Sequence, residues 1–344
     1  MTNPNLLAID LAKNVFQVCK LCPNGKVIYN REVSRAKLKE ILINEKQALV
    51  AMEACGSAHY WARFAISAGH IVKVINARAV KAFQTKQKTD RNDALAIGVA
   101  AQQEHIHGTH IHSTEEQALQ SLERMRHLAK VQLVAQSNQM RGVLAEFGII
   151  LPQGLSKLRK EIPFILEDAD NSLPDSFRTA LHKSWSYLLC QIEHLQELDR
   201  QLESLVKSHH ICKKLMKLEG VGPLGALGLA LRLGRGENFS NGREASANIG
   251  LTPKQNSSGG KERIGHISRY SADKRLRSVL FQGALSVITH VLDRPATTYK
   301  EQWLQALVER RGKKVAAIAL ANKTVRTAYA LLKNDSDYQP IKLA

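Results

Sequence analysis

Asp10, Glu53, Asp90 and Asp93 are the residues of this 344-residue chain best suited to hold a hard divalent cation. Oxygen ligands favour Mg²⁺ or Mn²⁺. Asp10 interrupts the apolar run from Leu6 to Leu11, where a carboxylate inside a sheet is costly unless it reaches solvent or a cation. Glu53 ends the buried-strand run Ala48 to Met52, so the two acids can converge at one sheet edge. Asp90 and Asp93 open the helical run Asn92 to Gln103, and their i, i+3 spacing puts both on one helix face. Four acids brought together repel one another unless cations neutralise them. Two such ions about 4 Å apart stabilise the entering and leaving oxygens of a phosphodiester displacement. The same residues also suit plainer roles: Asp90 as a helix cap, Asp93 in favour of the helix dipole, and Glu53 as a solvated strand end. Spacing alone leaves both readings open.

A second group lies far downstream. Ser257-Ser258-Gly259-Gly260-Lys261 sits in a Gly-rich basic stretch with Lys254 and Arg263, where glycines let backbone approach a phosphate and the cations offset its charge. A serine there is either a nucleophile or a hydrogen-bonding residue of a flexible loop. Upstream, Leu218-Glu219-Gly220-Val221-Gly222-Pro223-Leu224 joins two apolar helical stretches through a Gly-x-Gly turn. That is a helix-hairpin-helix-like pattern able to present backbone N–H groups of Gly220 and Gly222 to phosphate, or an ordinary break with glycine caps.

The elements that must position these residues follow from periodicity. Val15 to Leu21, the turn signal Asn24-Gly25 and Val27 to Val33 predict a hairpin. A helix over Arg35 to Asn44, a strand to Glu53, a helix over Ala58 to Ala68 and a strand over Ile71 to Ile75 complete a mixed sheet flanked by helices. A long helix starts at the capping-box-like Thr114-Glu115-Glu116-Gln117 and runs to about Glu146, with a stripe of Leu119, Leu122, Met125, Leu128, Val131 and Val134. A second covers Trp185 to Val206 with Leu188, Ile192, Leu195, Leu198, Leu202 and Leu205. These predict an antiparallel helical hairpin or coiled coil, within one chain or between two. Short helices and turns fill Leu151 to Asp175, and an apolar helix over Val315 to Leu332 follows the basic run Arg310-Arg311-Gly312-Lys313-Lys314.

A net charge of +18 points to a polyanionic partner, since such an excess binds phosphates through counterion release. No apolar run approaches the ~18 residues that span a bilayer, and the N-terminus lacks the pattern of a signal peptide, so a cytosolic setting without membrane contact is expected. The five cysteines are scattered; Cys19 and Cys22 have zinc-ligand spacing without a second pair. His105, His107, His110 and His112 suit a metal, or more plainly a short strand or turn with its polar side chains outward.

Ile9-Asp10-Leu11-Ala12-Lys13, Met52-Glu53-Ala54-Cys55-Gly56 and above all Lys88-Thr89-Asp90-Arg91-Asn92-Asp93-Ala94 resemble the DEDD transposases of bacterial insertion sequences, kin to the Piv-type DNA invertases. Gly220-Val221-Gly222-Pro223, Gly250-Leu251-Thr252-Pro253, Ser257-Ser258-Gly259-Gly260-Lys261 and Leu276-Arg277 extend the resemblance through the C-terminal third; Tyr270-Ser271-Ala272-Asp273 departs from it, where relatives usually carry a glycine. The resemblance implies an α/β plus α chain: an RNase-H-like (RuvC-like) domain over residues 1–112, a coiled-coil helical linker over 113–208, and a mainly helical transposase domain over 209–344. It implies Mg²⁺ (or Mn²⁺) held by Asp10, Glu53, Asp90 and Asp93, and attack by Ser258 on a DNA phosphate to give a phosphoserine link. It further implies donor and target DNA, a structured bridge RNA that pairs with both, and dimers assembling into a tetramer. Gly220, Gly222, Lys254, Lys261, Arg263, Arg269, Lys274, Arg275 and Arg277 are the expected nucleic-acid contacts. A metal nuclease resembling a Holliday-junction resolvase, and a nucleic-acid-binding protein without chemistry, are the competing readings.

Overall fold

The computed structural model describes residues 5–85, 87–267 and 273–343; Arg269 and the Tyr270-Ser271-Ala272 departure lie outside the described residues. Two compact units are present, Met1–Gln117 with His210–Ala344, and Ala118–His209.

The first unit begins with β1 (Leu6–Asp10), β2 (Val15–Leu21), β3 (Val27–Ser34), α1 (Arg35–Asn44), β4 (Leu49–Glu53), α2 (Ala58–Ser67), β5 (Ile71–Ile75), α3 (Ala77–Lys81) and α4 (Asp90–Gln102). The strands form one sheet in the order β3-β2-β1-β4-β5. β1, β2 and β3 pair antiparallel, and β1-β4 and β4-β5 pair parallel. Successive side chains of a strand point to opposite faces, and here each face has its own cover. Leu7, Ile9, Phe16, Val18, Val50 and Met52 pack with Leu38 and Leu42 of α1 and Trp61 and Ala62 of α2. Leu6, Ala8, Cys19, Leu21 and Ala51 pack with Ala94, Ile97 and Ala101 of α4. Asp10 and Glu53 continue this second set by two residues, so alternation alone aims both carboxylates at the face that α4 covers.

Gly98 sets how close α4 comes. A Cβ there would stand 2.6 Å from Leu21 Cδ1 and 3.3 Å from Ala8 Cβ, so a side chain would force Leu21 to repack or α4 to shift on the sheet. The cap of α4 is Thr89, whose side chain accepts from Asn92 N–H, which leaves Asp90 and Asp93 free of that duty in the first turn.

The segment 103–113 leads from α4 to α5 (Thr114–Ala145). His105 and His107 are exposed as expected, but His110 and His112 correct the expectation of outward polar side chains. His112 is buried, its ring stacked on His59 of α2 at 4.0 Å between centroids, and its Nε2 lies 3.1 Å from the Leu231 carbonyl. His110 Nε2 lies 2.9 Å from a Glu116 carboxylate oxygen. Alternation suggested solvent because imidazole is polar; burial is tolerated because the Nε2 of each ring finds a carbonyl or carboxylate partner. The capping box also lies one residue earlier than the sequence pattern suggested: Ser113 Oγ accepts from Glu116 N–H and Glu116 accepts from Ser113 N–H.

The second unit is the body of α5 with α6 (Leu155–Glu167) and α7 (Asp175–Ser208). Arg126 pairs with Asp199 at one end, and Met140 and Leu144 share a core with Leu181 and Trp185 at the other, which makes α5 and α7 antiparallel. The inward stripe of α5 is Ala129, Leu133, Met140 and Leu144; Met125, Leu128, Val131 and Val134 are exposed. Steps of three residues drift about 60° per step around a helix of 3.6 residues per turn, so the predicted run spirals off the buried face. On α7 the prediction fares better, with Leu188, Ile192, Leu198 and Leu202 buried, although the helix begins ten residues before Trp185.

The remainder of the first unit comprises α8 (His210–Leu215), α9 (Pro223–Leu233), α10 (Gly242–Ile249), β6 (Pro253–Ser258), β7 (Lys261–Ile267), α11 (Lys274–Leu292), α12 (Tyr299–Arg311) and α13 (Lys313–Lys333). Ala284 and Ile288 of α11 pack with Leu304 and Leu307 of α12 and Ala316, Ala317 and Leu320 of α13. The tail after α13 returns to α8, where Lys214 pairs with Asp335. Among the described residues no helix is long and apolar enough to cross a membrane.

Candidate active site

Asp10, Asp90 and Asp93 meet where β1 ends and α4 begins. One carboxylate oxygen from each lies within 4.8 Å of the others. Asp10 and Asp93 are half-buried and Asp90 is exposed. The strand fixes the first acid and the first helical turn presents the other two, on one face as their spacing requires.

The electrostatics are those of an uncompensated anionic cluster. Burial, together with the charges of Asp93, Asp90 and Glu53, raises Asp10 from 3.8 to about 6, and Lys88 only partly opposes this. Glu53 is raised by burial and by Asp93. The Cys55 thiol is likewise pushed up by burial and by the charges of Glu53 and Asp10. Glu53 therefore shares the field of the cluster while standing outside the tight group of three. The donor set suits a hard cation: oxygen ligands only, converging, with burial and mutual repulsion raising the Asp10 carboxyl to about 6, so that it is mostly ionised at neutral pH.

Residues the sequence did not single out complete the surroundings. Gln84 Nε2 donates to Asp93 Oδ1 at 3.0 Å. Asn30 of β3 donates to the Arg91 carbonyl, which ties the edge of the sheet to the first turn of α4. Neither has a motif of its own. The one available signal was the predicted β2–β3 hairpin, whose register places Asn30 opposite Cys19 on the α4 face.

Ser258 stands elsewhere in the fold, at the end of β6, on a two-stranded ribbon that turns through Gly259-Gly260. The stretch read as a flexible loop is thus a β-hairpin, and every residue of β6 is exposed. Its register sorts the side chains. Ser258 pairs with Lys261 and Asn256 with Arg263, so the hydroxyl and two cations share one face. Ser257 pairs with Glu262 on the other face, and its Oγ accepts from Gln255 Nε2 at 3.4 Å. Lys254 falls where the register shifts between Pro253 and Gln255.

Among the other expected contacts, Lys274 and Arg275 are exposed in the first turn of α11, whose cap is Asp273. Arg277 is half-buried and donates to the Gly250 carbonyl. Gly222 is exposed and precedes Pro223 at the start of α9. Gly220 serves packing, since a Cβ there would stand 2.7 Å from the Gly283 carbonyl oxygen of α11.

Similarity to known proteins runs over almost the whole chain. A family described as "Transposase" matches residues 7–149, which include all four acids, and the "Transposase IS116/IS110/IS902 family" matches residues 212–300, which include the ribbon. The transposase for insertion sequence element IS1111A of Coxiella burnetii is 34% identical over 98% of this chain and 92% of its own length. A probable family 20 transposase of Pseudomonas aeruginosa is 35% identical over 98% of this chain and 99% of its own. The pilin gene-inverting protein of Moraxella bovis is 22% identical over 96% of this chain and 97% of its own.

Proposed function

The chain belongs to the IS116/IS110/IS902 family of transposases and is a DNA transposase, and from that premise we propose that it excises and inserts its element by serine-mediated strand exchange at a metal site, guided by a bridge RNA. The observation that carries this reading is the convergence of Asp10, Asp90 and Asp93 within 4.8 Å, with Glu53 in the same field. The sheet order β3-β2-β1-β4-β5 supports an RNase-H-like, RuvC-like domain behind it. A Mg²⁺ or Mn²⁺ ion on these carboxylates would supply Lewis-acid stabilisation of charge on the phosphodiester.

The chain's own residues would do the rest. Ser258 Oγ attacks phosphorus, its proton passes to a base or water, and one DNA P–O bond breaks as the O–P bond to serine forms. A DNA hydroxyl then attacks the phosphoserine and releases Ser258. One phosphoester replaces another, so rejoining needs no ATP. Lys261 and Arg263, on the face of Ser258, stabilise the extra negative charge of the pentacoordinate state. Ser258 is favoured over Ser257 because the latter hydroxyl faces away from these cations and toward Gln255. Lys254, Lys274 and Arg275 are exposed and suit backbone contacts to DNA or RNA. The exposed Met125, Leu128, Val131 and Val134 on α5 support association of copies through the helical region. The net charge of +18 supports a nucleic-acid partner.

The test is recombination between donor and target plasmids with Mg²⁺, with and without RNA from the segment flanking the gene, comparing wild type, Asp10→Ala and Ser258→Ala. RNA-dependent joining and a protein–DNA adduct, both lost in Ser258→Ala, are expected. Cleavage that survives Ser258→Ala and dies with Asp10→Ala would replace the serine mechanism with that of a metal nuclease.

A further inference from the structure

Asp10 ends a strand paired on both sides and is itself held opposite Gln17 of β2, but Asp90 and Asp93 belong to a different element, α4. Mutual repulsion of the carboxylates pushes that element away from β1. Along α4 the first residue buried against the sheet is Ala94, four residues or about 6 Å from Asp90, and Gly98 follows one turn later. Something nearer must hold the first turn.

We infer that Asn30 is a positioning residue for the acid cluster, pinning the first turn of α4 to the sheet so that Asp90 and Asp93 stay within reach of a cation shared with Asp10. Asn30 Nδ2 donates to the Arg91 carbonyl at 2.9 Å, and Arg91 Nη2 donates back to the Asn30 carbonyl at 3.1 Å. The amide of Asn30 is itself oriented: its Oδ1 accepts from Gln17 Nε2 at 2.6 Å. Gln17 is 6% exposed and stands directly opposite Asp10 in the β1–β2 ladder. A continuous path therefore runs from Asp10 across the ladder to Gln17, to Asn30, and into the peptide that links Asp90 to its helix. Each link is a side chain on the sheet face that α4 covers. Leu or Val at position 30 would keep the strand and lose the tie.

The inference rests on the reading that these acids hold a divalent metal, and the experiment separates the two. Mn²⁺ binding to the full-length protein is measured by calorimetry for wild type, Asp10→Ala, Asn30→Ala and Arg91→Ala, beside the thermal melting of each. Outer partners of metal ligands typically contribute ~10–100-fold to affinity. Asn30→Ala is expected to weaken Mn²⁺ binding by about 10-fold or more with little change in melting, because the residue lies at an edge strand outside the apolar core. Arg91→Ala keeps the Asn30 bond to the backbone carbonyl and is expected to lose less, about 3-fold if one of two reciprocal bonds is removed. DNA cleavage by Asn30→Ala is expected to recover as Mn²⁺ is raised, which a merely unfolded variant would not do. If wild type binds Mn²⁺, Asp10→Ala abolishes binding, and both Asn30→Ala and Arg91→Ala bind as wild type does, the positioning role is overturned and the metal reading stands. If Asn30→Ala fails to fold, Arg91→Ala alone decides. Absence of Mn²⁺ binding in wild type would overturn both.

Discussion

Asp10 sits on a strand paired on both sides and covered by a helix, whereas Ser258 sits on a ribbon whose two strands pair with each other and whose β6 side chains are all exposed. The acids are thus held against their own repulsion by a core: alternation aims Asp10 and Glu53, Gly98 sets the depth of α4, and Asn30 ties its first turn. The serine has no such frame. Its local order comes from cross-strand register, which places Lys261 and Arg263 on its face. The contrast suits two different roles, since a cation site must hold charges at fixed separations in the resting protein, while a nucleophile that becomes joined to DNA must travel with it.

The largest expected effect sharpens this comparison through stability. Asp10→Asn and Ser258→Ala should each reduce strand joining by ~10⁴-fold or more, as loss of a central catalytic group does. Their melting temperatures should part. Asp10→Asn removes a carboxylate that burial and its neighbours disfavour, so without metal at pH 7.5 it should melt higher than wild type. Ser258→Ala, at an exposed ribbon end, should melt as wild type does. Thermal melting with and without Mn²⁺ checks this; equal melting of Asp10→Asn and wild type without metal would mean the cluster stores no repulsion.

Much of the acid region was legible because its information is periodic. Alternating strands, the Asn24-Gly25 turn and the i, i+3 pair Asp90 and Asp93 are local patterns, and β1 to β5 with α1, α2 and α4 all begin and end within a residue or two of their predicted limits. What was not legible depends on pairing between distant residues. Asn30 gains its role from a bond across 61 positions, and His112 is buried by a helix 119 residues away. The α5 stripe misled because apolar residues every three positions look helical whether or not they face inward. Ser258 was visible as a residue in basic company, but its face could be assigned only from the register of the ribbon.

Acid separates the cluster from a second carboxylate in the same unit. The folded pKa of Asp10, about 6, lies above its ordinary 3.8. Without metal, the stability linked to its proton is complete below about pH 4 and is lost as pH rises through 6. Mn²⁺ must displace that proton, so its affinity should fall ~10-fold per pH unit below about 6. Glu116 behaves in the opposite sense. Burial would raise it, but hydrogen bonds from His110 and the Ser113 N–H, with the nearby histidines, lower it from 4.5 to about 2. Its contribution is present above about pH 4.5 and lost as pH falls toward 2, worth up to ~3 kcal/mol for a half-buried group. Glu116→Gln should therefore destabilise the protein at pH 7 and match wild type near pH 2, whereas Asp10→Asn should exceed wild type at pH 7 and match it near pH 4. Melting curves across pH for the two variants check both signs; a parallel pH dependence would dissolve the distinction.

The smallest effect belongs to the ribbon cations and tests whether they meet DNA at all. Each phosphate neutralised by a lysine or arginine releases counterions, and the slope of log affinity against log salt changes by about 0.9 per contact on duplex DNA. Lys261→Ala and Arg263→Ala should each weaken binding at low salt and make the slope shallower by about 1, so that the fall in affinity between 50 and 200 mM salt is roughly 3- to 4-fold smaller than in wild type. The loss should be the same for any DNA sequence, because phosphate contacts position the protein without reading bases. Glu262→Ala supplies the contrast, since it pairs with Ser257 on the opposite face and its removal should leave the slope unchanged or steeper. Filter binding at several salt concentrations is sufficient to measure it. If Glu262→Ala and Lys261→Ala changed the slope alike, the two faces of the ribbon would be electrostatically equivalent, and register would no longer be a reason to choose Ser258 over Ser257.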